Sequence, residues 1–298
     1  MAETVLLTGA TGFLGSHLCE KLVRDGYKVI ILKRKKSDTW RIDSLLSKLD
    51  SYNIEETPIS QIFESEEVST VIHTATNYGR NDEKPSVIVE SNILFPLRLI
   101  EIAVEHNTDT FLNTDTILYE YLNYYSLSKK QFINWLSFYT NKIRVFNLKL
   151  EHVYGEKDGT QKFISRVIDS FLCNREQIGL TEGKQIRDFI YVEDVVSAYM
   201  KILKKSTTFK KKYFEYSIGS GVPTTINEIV ELIKKLTMNT ITKTNYGAVD
   251  YRENEIMRSV ADLTNIKADI QWEPKYDLRN GLMKTIEWER VKLNQIHK

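Results

Sequence analysis

Residues 4–15 read TVLLTGATGFLG: a strand-length apolar run, then Gly9, Gly12 and Gly15 at intervals of three, leading into the helical pattern FLGSHLCEKLVRDG (13–26). Strand, glycine turn and helix in that order are the opening of a dinucleotide-binding βαβ unit. Each glycine has a distinct expected task. Gly9 permits the tight turn, Gly12 lets backbone approach a pyrophosphate, and Gly15 lets the helix pack closely on the sheet. The helix N-terminus adds N–H donors and a favourable dipole for phosphate. The spacing is GxxGxxG and not the commoner GxGxxG, so the surrounding elements carry the reading as much as the glycines do.

Outward from the loop, strand-length and helical patterns keep alternating. YKVIILKR (27–34), STVIHTAT (69–76), TDTFLNTD (108–115) and KIRVFNLKL (142–150) read as strands, with NILFPLRLIEIAVEH (92–106) and KQFINWLSFYTN (130–141) as helices between them. This predicts an α/β Rossmann fold, a doubly wound parallel sheet with crossover helices. From Glu151 the order loosens: EHVYGEKDGTQKF is loop-rich and IRDFIYVEDVVSAYMKILKK returns to strand and helix. The expected organisation is a dinucleotide-binding domain over 1–154 plus about 188–207. A smaller C-terminal α/β substrate-binding lobe is expected over 155–187 plus 208–298. The stretch between Arg34 and Ser69 is too weakly patterned for a strand.

The end of the second strand bears on the cofactor. NAD sites usually place a carboxylate there for the ribose 2′-hydroxyl. This chain has ILKRKKSD (31–38), with Lys33, Arg34, Lys35 and Lys36, and no acidic residue between Asp25 and Asp38. NADP(H) is therefore expected ahead of NAD.

Bulk properties exclude several classes. The 298 residues carry 41 basic and 40 acidic side chains, so no global field recruits nucleic acid or an acidic membrane. Cys19 and Cys173 have no paired spacing, which argues against disulfides or a zinc site. His17, His73, His106, His152 and His297 are never closely paired, and no metal is expected. The chain runs straight into TVLLTG without a basic leader, and no segment has the roughly 18 apolar residues of a spanning helix. A cytoplasmic location is the expectation.

Residues 119–130, YEYLNYYSLSKK, hold four tyrosines. Only Tyr125 has a lysine, Lys129, one helical turn on and on the same face.

TGATGFLG, VIHTAT (71–76) and YSLSK (125–129) together resemble the extended short-chain dehydrogenase/reductase family. EHVYG (151–155), GKQIRDFIYVEDVVSAY (183–199), YREN (251–254) and SVADLTNIKADIQWEP (259–274) extend the resemblance over essentially the whole chain, within the nucleotide-sugar branch. FLNTDT, LKLEHVYG and RENEIMRSVA narrow it to the type that reduces a CDP-4-keto-3,6-dideoxyhexose. The resemblance implies cofactor contacts from Gly9, Thr11, Gly12, Phe13, Leu14, Gly15, Lys33, Arg34, Thr74, Ala75, Asn92, Tyr125 and Lys129. It implies catalysis by Thr114, Tyr125 and Lys129, with Tyr125 donating the proton to the carbonyl oxygen. A free tyrosine has a pKa near 10, so efficient donation needs a lowering of about three units, on the order of 4 kcal/mol. Lys129 and the oxidised nicotinamide would contribute the positive charge.

Substrate contacts are implied for Asp115, Thr116, His152, Arg187 and Arg252, the two arginines as forks for the diphosphate. Related 4,6-dehydratases carry Thr-Asp-Glu where this chain has Thr114-Asp115-Thr116, so the dehydrating base is missing. Lys149 and His152 replace the usual Arg and Asn of that branch, and His152 reads equally as a substrate contact or a packed loop residue. The expected activity is NADPH-dependent reduction of a nucleotide-linked 4-keto-6-deoxy or 3,6-dideoxy sugar, feeding surface polysaccharide, by a homodimer. A 4-epimerase retaining NAD is the alternative enzyme, and an NADP-sensing regulator the non-enzymatic one.

Overall fold

The computed structural model describes residues 3–210 and 212–296; His297, one of the five histidines weighed above, lies outside them. The strands are β1 (Thr4–Thr8), β2 (Lys28–Lys33), β3 (Asp50–Asn53), β4 (Thr70–His73), β5 (Thr110–Thr116), β6 (Arg144–Leu150), β7 (His152–Tyr154), β8 (Gln177–Leu180), β9 (Ile186–Tyr191), β10 (Tyr213–Ile218), β11 (Pro223–Thr225) and β12 (Lys243–Tyr246). The α-helices are α1 (Phe13–Arg24), α2 (Ile59–Ser65), α3 (Pro85–Val89), α4 (Phe95–Glu105), α5 (Tyr124–Leu136), α6 (Phe163–Leu172), α7 (Val192–Lys205), α8 (Ile226–Thr237), α9 (Thr264–Ile270) and α10 (Leu278–Ile296).

Seven strands form one sheet in the order β10-β6-β5-β4-β1-β2-β3, and β1 to β6 pair in parallel. Every residue of TVLLT in β1 and TVIH in β4 is buried, as expected of strands covered on both faces. Leu6, Ile30, Val71, Phe111 and Val145 of the sheet pack with Leu99, Ile100, Phe132 and Leu136 of the helices. The strand order reverses between β1 and β4, and the crevice beyond their carboxyl ends is where such sheets bind ligands. The Rossmann reading holds.

Two expectations change. The stretch after Arg34 does contain a strand, β3, which pairs with β2. Its sequence DSYN is polar and half-exposed, so no apolar pattern marks it. The segment that returns to the first unit is also not 188–207. The chain divides into Met1–Leu150 with Ala198–Tyr216, and Glu151–Ser197 with Ser217–Lys298. Strand β9, inside the expected return, pairs with β7 and β11 in a separate three-stranded sheet, whereas β10 lies beside β6 at the edge of the large one.

In the second unit the buried carboxylate of Asp188 on β9 accepts hydrogen bonds from Ser220 N–H and Oγ, Gly221 N–H and Ala261 N–H, fixing two loops to the strand. Among the described residues, no helix is long and apolar enough to cross a membrane.

Candidate active site

The glycine loop sits at the reversal between β1 and β4. Gly9 has φ +75°, and a Cβ there would stand 2.6 Å from both Ala75 N and Thr74 Oγ1. A side chain is excluded by backbone conformation and by the end of β4 together. A Cβ on Gly15 would lie 2.0 Å from the Gly9 carbonyl oxygen, so its smallness closes the loop on the first turn of α1. Gly12 caps α1 with no side-chain hydrogen bond, which leaves the amides of Phe13, Leu14 and Gly15 as backbone donors at a helix N-terminus. These features fit a dinucleotide pyrophosphate.

The end of β4 is tied to this loop. Thr8 Oγ1 lies 2.8 Å from His73 Nδ1, Thr74 Oγ1 donates to Thr8 O, and Ala75 N–H donates to Thr8 Oγ1. His73 is fully buried, and burial, then the charge of Lys129, holds its pKa well below the ordinary histidine range. Thr74 and Ala75 thus flank Gly9.

Lys33 ends β2 half-buried and Arg34 is exposed, while Lys35 pairs with Glu56 at 3.3 Å. Arg41, a cation outside the expected set, donates through Nη1 to the carbonyl of Thr11 at 3.4 Å and lies over the Trp40 ring, which places it against the glycine loop. It lies just beyond the KRKK run, past Asp38, and nothing in its spacing marks it.

Asn92 is buried within a short π-helical stretch, Glu90–Leu94. Its amide accepts from Asn77 N–H and Thr76 Oγ1 and donates to Asn77 O and Ser128 Oγ. The expected cofactor contact is displaced by this role: the polar atoms of Asn92 clamp the loop after β4 to α5.

Helix α5 begins with a capping box, in which Asn123 accepts from Ser126 N–H and Ser126 Oγ accepts from Asn123 N–H. This start places Tyr125 and Lys129 on the inward face. Tyr119, Tyr121 and Tyr124 are 46%, 77% and 59% exposed, whereas Tyr125 is half-buried and Lys129 is 2% exposed. The cluster therefore separates as its spacing predicts.

Burial draws the Lys129 ammonium down to about 8, against the opposing pull of Asp115. Burial, with Tyr78 and Asp115 nearby, pushes the Tyr125 phenol above its ordinary value, although a hydrogen bond from the Thr116 side chain works the other way. In the chain alone Tyr125 is held neutral and is not pre-lowered by Lys129.

Along β5 the side chains alternate. Thr114 Oγ1 lies 2.6 Å from the hydroxyl of buried Tyr199, and the Thr116 hydroxyl accepts from Leu118 N–H near enough to Tyr125 to act on its phenol. Asp115 points to the other face. Its carboxylate accepts from Lys130 Nζ at 3.0 Å and Asn147 Nδ2 at 3.2 Å, and its side chain is wholly buried. The expectation that Asp115 touches substrate fails on this period-two geometry. Lys149 likewise pairs with Glu215 at 2.6 Å.

In the second unit Arg187 is buried, donating to Ile186 O and paired with Glu255. Arg252 is exposed but near enough for its charge to act on Arg187. Glu255, the partner of Arg187, shares a turn with Arg252, its N–H donating to Arg252 O at 3.0 Å, so the two expected arginines fall in one electrostatic neighbourhood. His152 packs edge-on to Phe189 with its Nδ1 3.3 Å from Glu151 Oε2, without forming a hydrogen bond there. Among the described residues no group of three or more His, Cys, Asp or Glu side chains could hold a metal ion.

Comparison with known proteins bears on this arrangement. Residues 5–219 match the NAD dependent epimerase/dehydratase family. A CDP-abequose synthase of Salmonella muenchen is 37% identical over 293 residues, covering 95% of this chain and 97% of the relative. A putative UDP-glucose 4-epimerase of Methanocaldococcus jannaschii is 27% identical over 308 residues, covering 95% and 97%. Among solved structures, a UDP-glucose 4-epimerase of Thermotoga maritima with UDP-glucose superposes with a TM-score of 0.85 at 24% identity, covering 97% of this chain and 99% of that one.

Proposed function

The chain belongs to the NAD dependent epimerase/dehydratase family, an enzyme family of nucleotide-sugar chemistry, and on that premise we propose a specific member activity. It is the NADPH-dependent reduction of the C4 keto group of a nucleotide-diphosphate 4-keto-6-deoxy or 3,6-dideoxy sugar, CDP-linked, for surface polysaccharide synthesis. The observation that carries this reading is the inward pair Tyr125 and Lys129 at the end of β5, where Thr114 and Thr116 supply hydroxyls and the nearby Asp115 carboxylate is held by Lys130. The CDP-abequose synthase relative supports the CDP-linked substrate.

When bound, the reduced nicotinamide cofactor supplies a hydride to the carbonyl carbon. Tyr125, kept neutral by burial, begins in the protonation state a reduction needs and donates its proton to the carbonyl oxygen. Thr114, its hydroxyl oriented by Tyr199, hydrogen-bonds that oxygen as charge develops. Lys129 then opposes the phenolate charge left on Tyr125. Gly9 to Gly15 would hold the pyrophosphate, and Lys33, Arg34 and Arg41 would favour a 2′-phosphate. Arg187 and Arg252 are assigned to the diphosphate of the substrate.

Dehydration of a hexose needs a base at the Thr116 position, and Thr116 has no carboxylate, while neighbouring Asp115 is occupied by Lys130. A 4-epimerase is the second reading, supported by the epimerases among the relatives. A homodimer completes the proposal, because Val87, Val89 and Leu94 near α3, and Trp135 and Phe138 at the end of α5, are exposed apolar side chains.

The test is to incubate the protein with NADPH and a panel of CDP-, dTDP- and GDP-4-keto-6-deoxy sugars, following NADPH consumption and identifying products by NMR. Stoichiometric NADPH oxidation with formation of a C4 alcohol, lost in Tyr125→Phe, is expected. Tightly held NAD in the purified protein with no net consumption of added NADPH would establish the epimerase instead.

A further inference from the structure

Two consecutive lysines of α5, Lys129 and Lys130, stand beside one carboxylate. Phe111, Asn113 and Asp115 leave β5 on the face that α5 covers, with the Phe111 and Phe132 rings 6.5 Å apart. There Asp115 Oδ2 accepts from Lys130 Nζ at 3.0 Å, and the same ammonium donates to the carbonyl of Thr116 at 2.6 Å. Asn147 Nδ2 donates to Oδ2 as well, at 3.2 Å, so the carboxylate is also anchored to β6. Oδ1 is buried with no hydrogen-bond partner among the described residues.

Lys129 is 2% exposed and feels this carboxylate without an ion pair to it. Two charges reach it: Asp115 on β5 favours the ammonium, and Lys130 on its own helix opposes it. The titratable neighbours His73 on β4 and Tyr125 one turn earlier are both held neutral by burial. Among the described residues, the buried side chains of α3, of Glu90–Leu94 and of α4, which pack on α5, carry no charge. The turns 120–122 and 137–139 at the ends of α5 bury no side chain.

We propose that Lys130 is a positioning residue for the reaction: by occupying Asp115 it keeps that carboxylate from closing on Lys129, whose ammonium is left to face Tyr125. The proposal rests on the reductase reading above, in which Lys129 must be a cation not already neutralised when negative charge appears on Tyr125. An ammonium locked to a buried carboxylate has its charge offset and its hydrogens engaged, so it stabilises a phenolate less. Removing the Lys130 charge leaves a buried carboxylate uncompensated, and Lys129 is the next cation along the helix.

The test follows kcat/KM against pH for NADPH-dependent reduction of the best sugar in the panel above. It uses the wild type, Lys130→Met, Lys130→Arg and the double variant Asp115→Asn with Lys130→Met. Activity should fall as pH rises through the Lys129 pKa, because the cation is lost. In Lys130→Met this alkaline limb should move up by about one unit or more, since a carboxylate in contact favours the ammonium. The plateau below the limb should drop by about tenfold or more as Lys129 is drawn from Tyr125. Lys130→Arg should keep both. The double variant should recover the plateau to within about threefold of wild type, with its limb no higher, because asparagine offers Lys129 no counter-charge. A limb that stays in place in Lys130→Met, or a double variant as impaired as the single, would overturn the proposal.

A second readout needs no turnover. The gain in unfolding free energy of Lys129 over Lys129→Met between pH 8 and 10.5 should shrink by about half or more once Lys130 is replaced by methionine. An unchanged gain overturns the proposal even where activity is lost. A shrunken gain in a protein that reduces none of the sugars overturns the reductase reading, and the role of Lys130 in the reaction falls with it.

Discussion

Thr114 Oγ1 and the hydroxyl of Tyr199 stand 2.6 Å apart, so the threonine expected to meet the substrate oxygen is oriented by a buried tyrosine on α7. The two hydroxyls satisfy one another, and one donor remains to point elsewhere. Thr114→Val removes a hydrogen bond to the developing oxyanion and leaves the Tyr199 hydroxyl buried without its partner. We expect kcat to fall by about a hundredfold and stability by about 1–3 kcal/mol. Thr114→Ser should restore both, as read by steady-state kinetics and urea denaturation.

Lys129 carries a pH signature. Its pKa is drawn from 10.5 to about 8 by burial, so between those values the unfolded chain binds more protons at this residue than the folded one. Stability contributed by this group therefore rises with pH across that window and is lowest below pH 8. The unfolding free energy of the wild type minus that of Lys129→Met should climb by about 3 kcal/mol between pH 8 and 10.5. A flat difference would show that Lys129 is not desolvated.

Asp115 separates two roles cleanly. If it serves mainly as the partner of Lys130, Asp115→Asn leaves a half-buried ammonium with only the Thr116 carbonyl and should cost about 1–3 kcal/mol of stability. The double variant Asp115→Asn with Lys130→Met should regain most of that loss in denaturant unfolding. A substrate contact would instead show as a raised KM at unchanged stability.

The cofactor assignment rests on the cations that follow β2. Arg34→Ala should weaken NADPH binding by about tenfold, the scale of one charge-assisted hydrogen bond, and leave NADH binding unchanged. Titration calorimetry with both nucleotides checks this. An equal effect on the two would place Arg34 away from the 2′-phosphate.

The legibility of this chain varies with how local each cause is. The glycine loop was readable because much of its constraint lies within eight residues: the positive φ of Gly9 and the absence of room for a Cβ on Gly15 against the Gly9 carbonyl. The nomination of Tyr125 over Tyr119, Tyr121 and Tyr124 was also local, since i to i+4 spacing and a capping box decide which side chain faces inward. Strand β3 was not readable, because a polar edge strand buries too little to leave an apolar pattern. The return segment was misplaced because IRDFIY and YFEYSI are both strand-like, and only pairing distinguishes β9 from β10.

By itself, then, the sequence determined the doubly wound sheet, the phosphate loop and the candidate Tyr125 and Lys129 pair, all of which depend on periodicity and short-range sterics. Tertiary structure alone decided what surrounds that pair. Asp115 turns away to Lys130, Asn92 clamps a loop, Thr114 finds Tyr199 and Tyr78 comes to lie against Tyr125. These partners are separated by 15 to 85 residues along the chain. Nothing in their spacing encodes the meeting; it follows from which strands pair and which faces of those strands and helices are buried.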